Sequence, residues 1–216
     1  MKSKNLFLSY IIFFTSLNII ANDEVTIDLG DKNNECKDIT RETLTERYYS
    51  NNFVGTFNGK KIEYTASLKE KIIYEKDDPN LPMASFFYTE YISKDSDQRP
   101  IIFSFNGGPG SASLWLHMGV LGPKVIKVPS DASDDGSPPY NIIDNKLSPL
   151  SDADLVFIDP IGTGYSRAIG CHEGEEFWGV SEDPKIIAEF IRRWITDNKR
   201  WNSPRYILGE SYGGIR

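Results

Sequence analysis

Tyr206-Ile207-Leu208-Gly209-Glu210-Ser211-Tyr212-Gly213 is a short apolar run that ends on a serine framed by two glycines. Residues 206–208 suit a buried strand, being apolar and too few for a helix. The pentapeptide that follows has the G-x-S-x-G spacing of a nucleophile elbow, a strand-to-helix turn so sharp that flanking side chains would clash. Glycine removes that clash, and the serine hydroxyl then stands clear at the end of the sheet. The same five residues also fit a plain strand-ending turn; the apolar strand leading into them favours the elbow. The helix expected next is cut off at Arg216.

A second glycine-rich segment lies about a hundred residues upstream. Residues 101–105 form an apolar run suited to a buried strand, and Asn106-Gly107-Gly108-Pro109-Gly110 follows at once. Acyl hydrolysis passes through a tetrahedral oxyanion, and removing one preorganised N–H donor from such a centre costs roughly 3–4 kcal/mol of barrier. In an elbow enzyme one donor is the residue after the nucleophile, here Tyr212, and the other comes from a loop after an earlier strand. Gly108 is placed for that second role, and Gly107 beside it lets the backbone approach a substrate closely. A structural loop is the plain alternative. A phosphate cradle fits less well, because no Gly-Lys-Ser/Thr follows. A third run, Asp159-Pro160-Ile161-Gly162-Thr163-Gly164-Tyr165-Ser166, follows the apolar strand 155–159. Arg167 stands where a dinucleotide fingerprint needs its third glycine, so that fingerprint is rejected.

Between these landmarks the pattern alternates. Residues 53–57 and 61–66 are strand-like and joined by Asn58-Gly59, a pair that tolerates the positive φ angles of a tight hairpin. Residues 71–75 and 83–92 also read as strands, with a turn at 77–82 between them. Residues 111–120 predict a helix with Leu114, Met118 and Leu121 on one side. The clearest helix spans 184–200: Asp183 can cap it, Pro184 suits its first position, and Lys199 and Arg200 suit its last turn. Its apolar positions Ile187, Phe190, Ile191, Trp194 and Ile195 recur at helical spacing. Strands alternating with helices imply an α/β fold, a mostly parallel sheet with helices on its faces, here with an antiparallel hairpin at one edge.

Composition sets outer limits. The 216 residues make about one domain, and 39% hydrophobic with 25% charged residues is ordinary for a globular chain. A net charge of −7 without a basic stripe argues against a nucleic-acid partner. Lys2 and Lys4 precede a mostly apolar stretch over residues 6–20, and Ala21 closes it before Asp23 and Glu24; this layout predicts a secretory signal peptide over 1–21 and an exported, periplasmic or secreted product. An uncleaved anchor is the rival, but the run is short and carries Ser9, Thr15, Ser16 and Asn18. Cys36 and Cys171 are the two cysteines; in an exported protein they could pair, or remain thiols. Their spacing fits no metal site, and no cofactor is expected. The polar loop 131–139 offers Asp131, Asp135 and Gly136 at calcium-loop spacing, but Ile142 takes the closing position that needs Glu, so it reads as solvated loop.

Asn106-Gly107-Gly108-Pro109-Gly110-Ser111, the run from Asp159 to Ser166, and Gly209-Glu210-Ser211-Tyr212-Gly213, in this order, resemble the serine carboxypeptidases, a family with the α/β-hydrolase fold. Phe177-Trp178-Gly179 and Trp201-Asn202-Ser203-Pro204 look like its bacterial-type branch. The resemblance covers roughly residues 53–216. It implies that Ser211 is the nucleophile, that Gly108 and Tyr212 supply the oxyanion hole, and that Asn106, Glu210 and the close-approaching Gly107 bind substrate, the first two at the free C-terminal carboxylate of a peptide. A buried Glu210 beside that carboxylate would favour work at acidic pH, where the two can share a proton. Two positions depart from the family: Val120 stands where many members carry Glu, and Ser104 where many carry Trp.

A serine also needs a base and a carboxylate to orient it, and in this fold the order is Ser, then Asp or Glu, then His. No acidic residue or His follows Ser211. His117 and His172 precede it and read as packing or surface residues. The sequence is therefore expected to be the N-terminal half of the fold, residues 22–216 being a peptidase domain cut after the elbow. An esterase or acyltransferase on the same scaffold, and a truncated non-catalytic binding protein, are the alternatives.

Overall fold

A computed structural model of the chain describes residues 39–95, 97–127, 131 and 138–216. The segment 1–21, Cys36, and Asp135 and Gly136 of the polar loop lie outside the described residues. Cys171 is disulfide-bonded, and the sequence holds one other cysteine, Cys36.

The chain opens with three antiparallel strands, β1 (Tyr48–Phe57), β2 (Lys60–Tyr74) and β3 (Pro82–Ser93). Asn58 and Gly59 turn β1 into β2 with φ angles of 49° and 78°, the left-handed conformation that this pair accepts at low cost. The Asn58 side chain also donates to Ser151 Oγ at 2.9 Å, tying the turn to the core. The separate strands expected at 61–66 and 71–75 are one fifteen-residue strand. The charged residues between them stay in the ladder because both have partners: Lys69 pairs with Glu90 at 2.5 Å and Glu70 with Arg47 at 2.9 Å.

β4 (Ile101–Phe105) follows, then a single helical turn α1 (Leu114–Leu116) that widens into a π-helical segment, His117–Leu121. The helix expected over 111–120 is thus shorter, starts later and is not a regular α-helix. Its lead-in is held elsewhere: Ser113 Oγ donates to the Ile158 carbonyl, and the Ser113 amide donates to Asp159 Oδ1 at 2.8 Å. Leu114, one of the three residues expected to share a side, is exposed, and Leu116 is the buried residue of α1. β5 (Lys124–Ile126) and β6 (Ile142–Asp144) make a small separate hairpin. β7 (Asp154–Ile158), β8 (Arg167–Ala168), α2 (Glu182–Asp197) and β9 (Arg205–Gly209) complete the fold.

The main sheet runs β1-β2-β3-β7-β4-β9, with β8 beside β3; β7, β4 and β9 are mutually parallel and the rest antiparallel. Period-two alternation divides its core. Val156 and Ile158 join Phe86, Phe103, Phe190 and Trp194 on the face that α2 covers, while Leu155 and Phe157 join Phe57, Tyr64, Leu116 and Leu150 on the other. Phe86 and Phe103 meet Phe190 and Trp194 at ring separations of 5.0 and 5.3 Å. Each fully buried side chain of this size is worth roughly 1.5–3 kcal/mol, which makes the α2 face a main support of the sheet.

α2 differs from expectation at both ends. It starts at Glu182, with Ser181 at the N-cap position and no side-chain cap, and Asp183, already inside the helix, is bonded to Arg216. It stops at Asp197, Lys199 takes a φ of 56°, and Arg200 lies buried against Asp154 at 2.8 Å rather than at the helix end. β9, expected to be buried, forms the outer edge of the sheet, with Tyr206 and Ile207 exposed because no strand or helix covers them among the described residues.

Candidate active site

Sheet order locates the site. From β4 the chain crosses to β7 on one side, and β9 then pairs on the other side of β4. A crevice opens outside the carboxyl ends of parallel strands where the winding reverses in this way. Asn106-Gly107-Gly108 leaves the carboxyl end of β4, and Glu210-Ser211 leaves that of β9.

Ser211 takes a φ of 57°, the left-handed region that costs a side-chain-bearing residue about 1–3 kcal/mol. The cost is tolerated because the turn is over-determined around it. A Cβ on Gly209 would stand 2.0 Å from the Gly213 carbonyl oxygen, and one on Gly213 would stand 2.8 Å from the Phe105 carbonyl oxygen. The Gly213 amide donates back to the Glu210 carbonyl at 2.8 Å, closing the turn. Ser211 is exposed at its crest.

The two glycine loops meet backbone to backbone. A Cβ on Gly107 would lie 2.4 Å from the Tyr212 nitrogen and 2.7 Å from the Glu210 carbonyl oxygen, closer than any side chain allows. Gly108 follows at a φ of 108°, open to glycine almost alone. Asn106 is buried; its Nδ2 donates to Glu210 Oε2 at 3.1 Å and its Oδ1 accepts from the Leu116 amide at 3.0 Å. Glu210 is exposed, so the buried carboxyl expected there is corrected: it sits at the mouth of the crevice, held by one amide.

Asn106, Gly108, Glu210 and Ser211 share one open cleft of about 370 Å³, and Gly107 and Tyr212 abut behind it. Trp115 and Val120, both largely exposed, form an apolar wall of that cleft. Larger pockets of about 580 and 700 Å³ lie elsewhere and contain none of these six predicted residues. Ser104, the second departure from the family pattern, is buried under the crevice, its hydroxyl 3.4 Å from the Leu208 carbonyl.

The run from Asp159 to Ser166 underpins the first glycine loop. Asp159 Oδ1 accepts the Ser113 amide, and burial raises its pKa while that hydrogen bond opposes the rise. Gly164, at a φ of 50°, leaves room for the same carboxyl, since a Cβ there would lie 2.1 Å from Asp159 Oδ2. Ser166 Oγ donates to the Asp159 carbonyl at 2.7 Å and accepts the Phe87 amide at 2.8 Å.

Neither histidine lines the cleft. His117 stacks on Phe157 at 4.6 Å and shares a 2.6 Å hydrogen bond with Tyr91 Oη. Burial lowers its pKa to about 4, so it is neutral near pH 7. His172 lies between Glu75 at 2.9 Å and Glu176 at 2.8 Å. Among the described residues no group of three or more His, Cys, Asp or Glu side chains could hold a metal ion. Arg216 and Asp183 belong to the surroundings of the site and were missed in the sequence, where Asp183 reads as a helix cap and Arg216 belongs to no motif.

Comparison with known proteins adds the family. The family model described as serine carboxypeptidase matches residues 66–216. The chain belongs to the serine carboxypeptidase family. Serine carboxypeptidase-like 9 of Arabidopsis thaliana is 28% identical over 132 residues, and serine carboxypeptidase-like 5 of the same plant is 27% identical over 134. Each alignment covers 60% of this chain and 29% of the relative, so the chain spans under a third of the length of the family members it matches. The match takes in the Asn106 and Ser211 loops and leaves out β1 and the start of β2.

Proposed function

We propose that this is a serine-type carboxypeptidase of α/β-hydrolase fold, which removes C-terminal residues of peptides through an acyl-enzyme on Ser211. The carrying observation is the contact of the two glycine loops at Gly107 and Tyr212, with Ser211 in a left-handed turn beside it. That arrangement supports Gly108 and Tyr212 as oxyanion donors. Ser211 Oγ would attack the peptide carbonyl, its proton passing to a base. The C–N bond then breaks as the base protonates the departing amine, and water hydrolyses the ester. Asn106 and Glu210 would receive the free carboxylate of the departing residue.

The base and its orienting carboxylate are assigned to polypeptide beyond the 216 residues, since neither His117 nor His172 reaches the cleft. In the same reading residues 1–21 are a cleaved export signal and residues 22–216 the N-terminal part of the catalytic domain, of the bacterial-type branch. No helix among the described residues is long and apolar enough to cross a membrane.

The test is made on the full native polypeptide. A serine-directed phosphonate should label it, and Ser211→Ala should abolish both labelling and peptide hydrolysis. A peptide with a free C-terminus should be cleaved much faster than its amidated twin. Equal rates, or a preference for small esters, would replace the carboxypeptidase with an esterase, and wild-type protein that resists labelling would leave only a binding protein.

A further inference from the structure

Arg216 is a cation folded into the protein, with only 1% of its side chain exposed. A buried guanidinium is tolerated when its donors are engaged, and these are. Nε lies 2.8 Å from both oxygens of Asp183, and Nη2 lies 2.7 Å from Asp183 Oδ2. Nη1 donates to the Asn106 carbonyl at 2.5 Å and Nη2 to the Pro109 carbonyl at 3.2 Å. The guanidinium carbon stands 5.3 Å from the ring centre of Tyr212 and 5.8 Å from that of Phe105. The Arg216 amide donates to the Tyr212 carbonyl at 3.1 Å, so the residue is fixed to the nucleophile turn at its other end.

These contacts bracket one short segment. The carbonyls of Asn106 and Pro109 flank Gly107 and Gly108, the part of the loop with the most conformational freedom. Inside the loop the Ser111 amide donates to the Gly107 carbonyl at 3.0 Å. A planar fork that holds a carbonyl on each side of two glycines fixes the orientation of the peptides between them.

We propose that Arg216, held in place by Asp183, is a positioning residue that locks the Gly107–Gly108 segment against the Ser211–Tyr212 turn and so sets the geometry of the oxyanion hole. This rests on the function proposed above. The oxyanion exists in the transition state and not in bound substrate, so loss of the lock falls on kcat and spares KM.

The experiment compares Arg216→Lys, Arg216→Gln and the milder Asp183→Asn with wild type in the full native polypeptide. Lysine keeps the charge and loses the fork. The expected result is a fall in kcat of about tenfold or more with KM within about twofold. A peptidyl boronate, which mimics the tetrahedral state, should weaken in parallel with kcat/KM, and the fall in kcat should exceed the unfolded fraction that a thermal melt of each variant gives, since removing one partner of a buried pair also destabilises the fold. Unchanged kcat overturns the proposal, as does an activity loss that merely follows the unfolded fraction. Wild-type protein without Ser211-dependent turnover sinks the proposed function instead. Amide exchange over residues 107–111 then decides the lock: faster exchange in Arg216→Lys supports it, and unchanged exchange overturns it.

Discussion

Gly107 is where a single residue does most to define the site. Its missing side chain allows two loops from different strands to touch, and the nearest atoms a Cβ would meet are backbone, which cannot swing aside. Gly107→Ala should therefore cost about 1–3 kcal/mol of stability, as overpacking does, and should separate the Gly108 and Tyr212 amides. Urea unfolding and the rate of phosphonate labelling measure the two effects. Gly110→Ala is the control, since nothing lies within 4 Å of a Cβ there, and it should change neither. A Gly107→Ala protein that labels at the wild-type rate would show that the loop contact is incidental. At this scale the sequence was informative. Glycines mark backbone geometry directly, so the Asn106 and Ser211 loops could be found by eye and both lie on one cleft. Side chains whose role depends on a distant partner left no such mark. Asp183 reads as a cap because its neighbours in sequence say so, and only the fold brings Arg216 to it.

Elements were legible where their cause is local and misread where a tertiary contact overrides it. The Asn58-Gly59 hairpin and the apolar face of α2 follow from turn chemistry and helical period, and both are present. The break expected within β2 is absent because its charged residues pair across strands, and the helix after Gly110 is shortened because Ser113 is bonded to the end of β7 and to Asp159. One such tertiary contact carries a pH dependence. His172 joins the end of β2, through Glu75, to the turn Gly174–Phe177, through Glu176. Burial works against its charge, but the hydrogen bonds to Glu176 and Glu75 outweigh burial and raise its pKa. A histidine whose folded pKa is raised binds its proton more tightly in the native state. Its contribution is therefore complete below the unfolded value of about 6.5 and is lost as pH rises through the folded one. His172→Gln should accordingly destabilise the protein more at pH 5.5 than at pH 9. The difference should be about 0.5–1 kcal/mol for a pair this close to solvent. Thermal melts of both proteins across that range test it, and equal losses at the two pH values would mean that the contact is packing alone.

The order of strands in the whole molecule could not be read from the sequence, because apolar runs such as 101–105 and 155–159 name no neighbours. Position in the sheet decides what those runs mean: β7 and β4 are buried on both faces, whereas β9, with a similar run, is an edge. What holds the parallel strands in register at the end opposite the cleft is a buried charge network. Asp154, fully buried at the start of β7, accepts the Ser93 amide at 2.9 Å, Arg200 at 2.8 Å and Arg99 at 3.3 Å. Arg200 in turn donates to the Arg99 carbonyl at 2.7 Å and to Ser203 Oγ at 2.8 Å, and Arg99 donates to the Leu150 carbonyl at 2.7 Å. The end of β3, the entry to β4, the start of β7 and the link from α2 to β9 thus converge on one carboxylate. Removing it leaves the buried Arg200 guanidinium without its counter-charge in a low-dielectric site, and leaves Arg99 with Asp95 at 3.7 Å. Asp154→Asn should consequently cost about 3–5 kcal/mol, whereas exchanging the inner pair together, as Asp154→Leu with Arg200→Leu, should cost less than the sum of the two single changes. Urea midpoints of the two single variants and the double variant complete the cycle. Strict additivity would mean that Asp154 and Arg200 are stabilised independently, and the sheet would then owe its register to the aromatic packing under α2 rather than to this charge cluster.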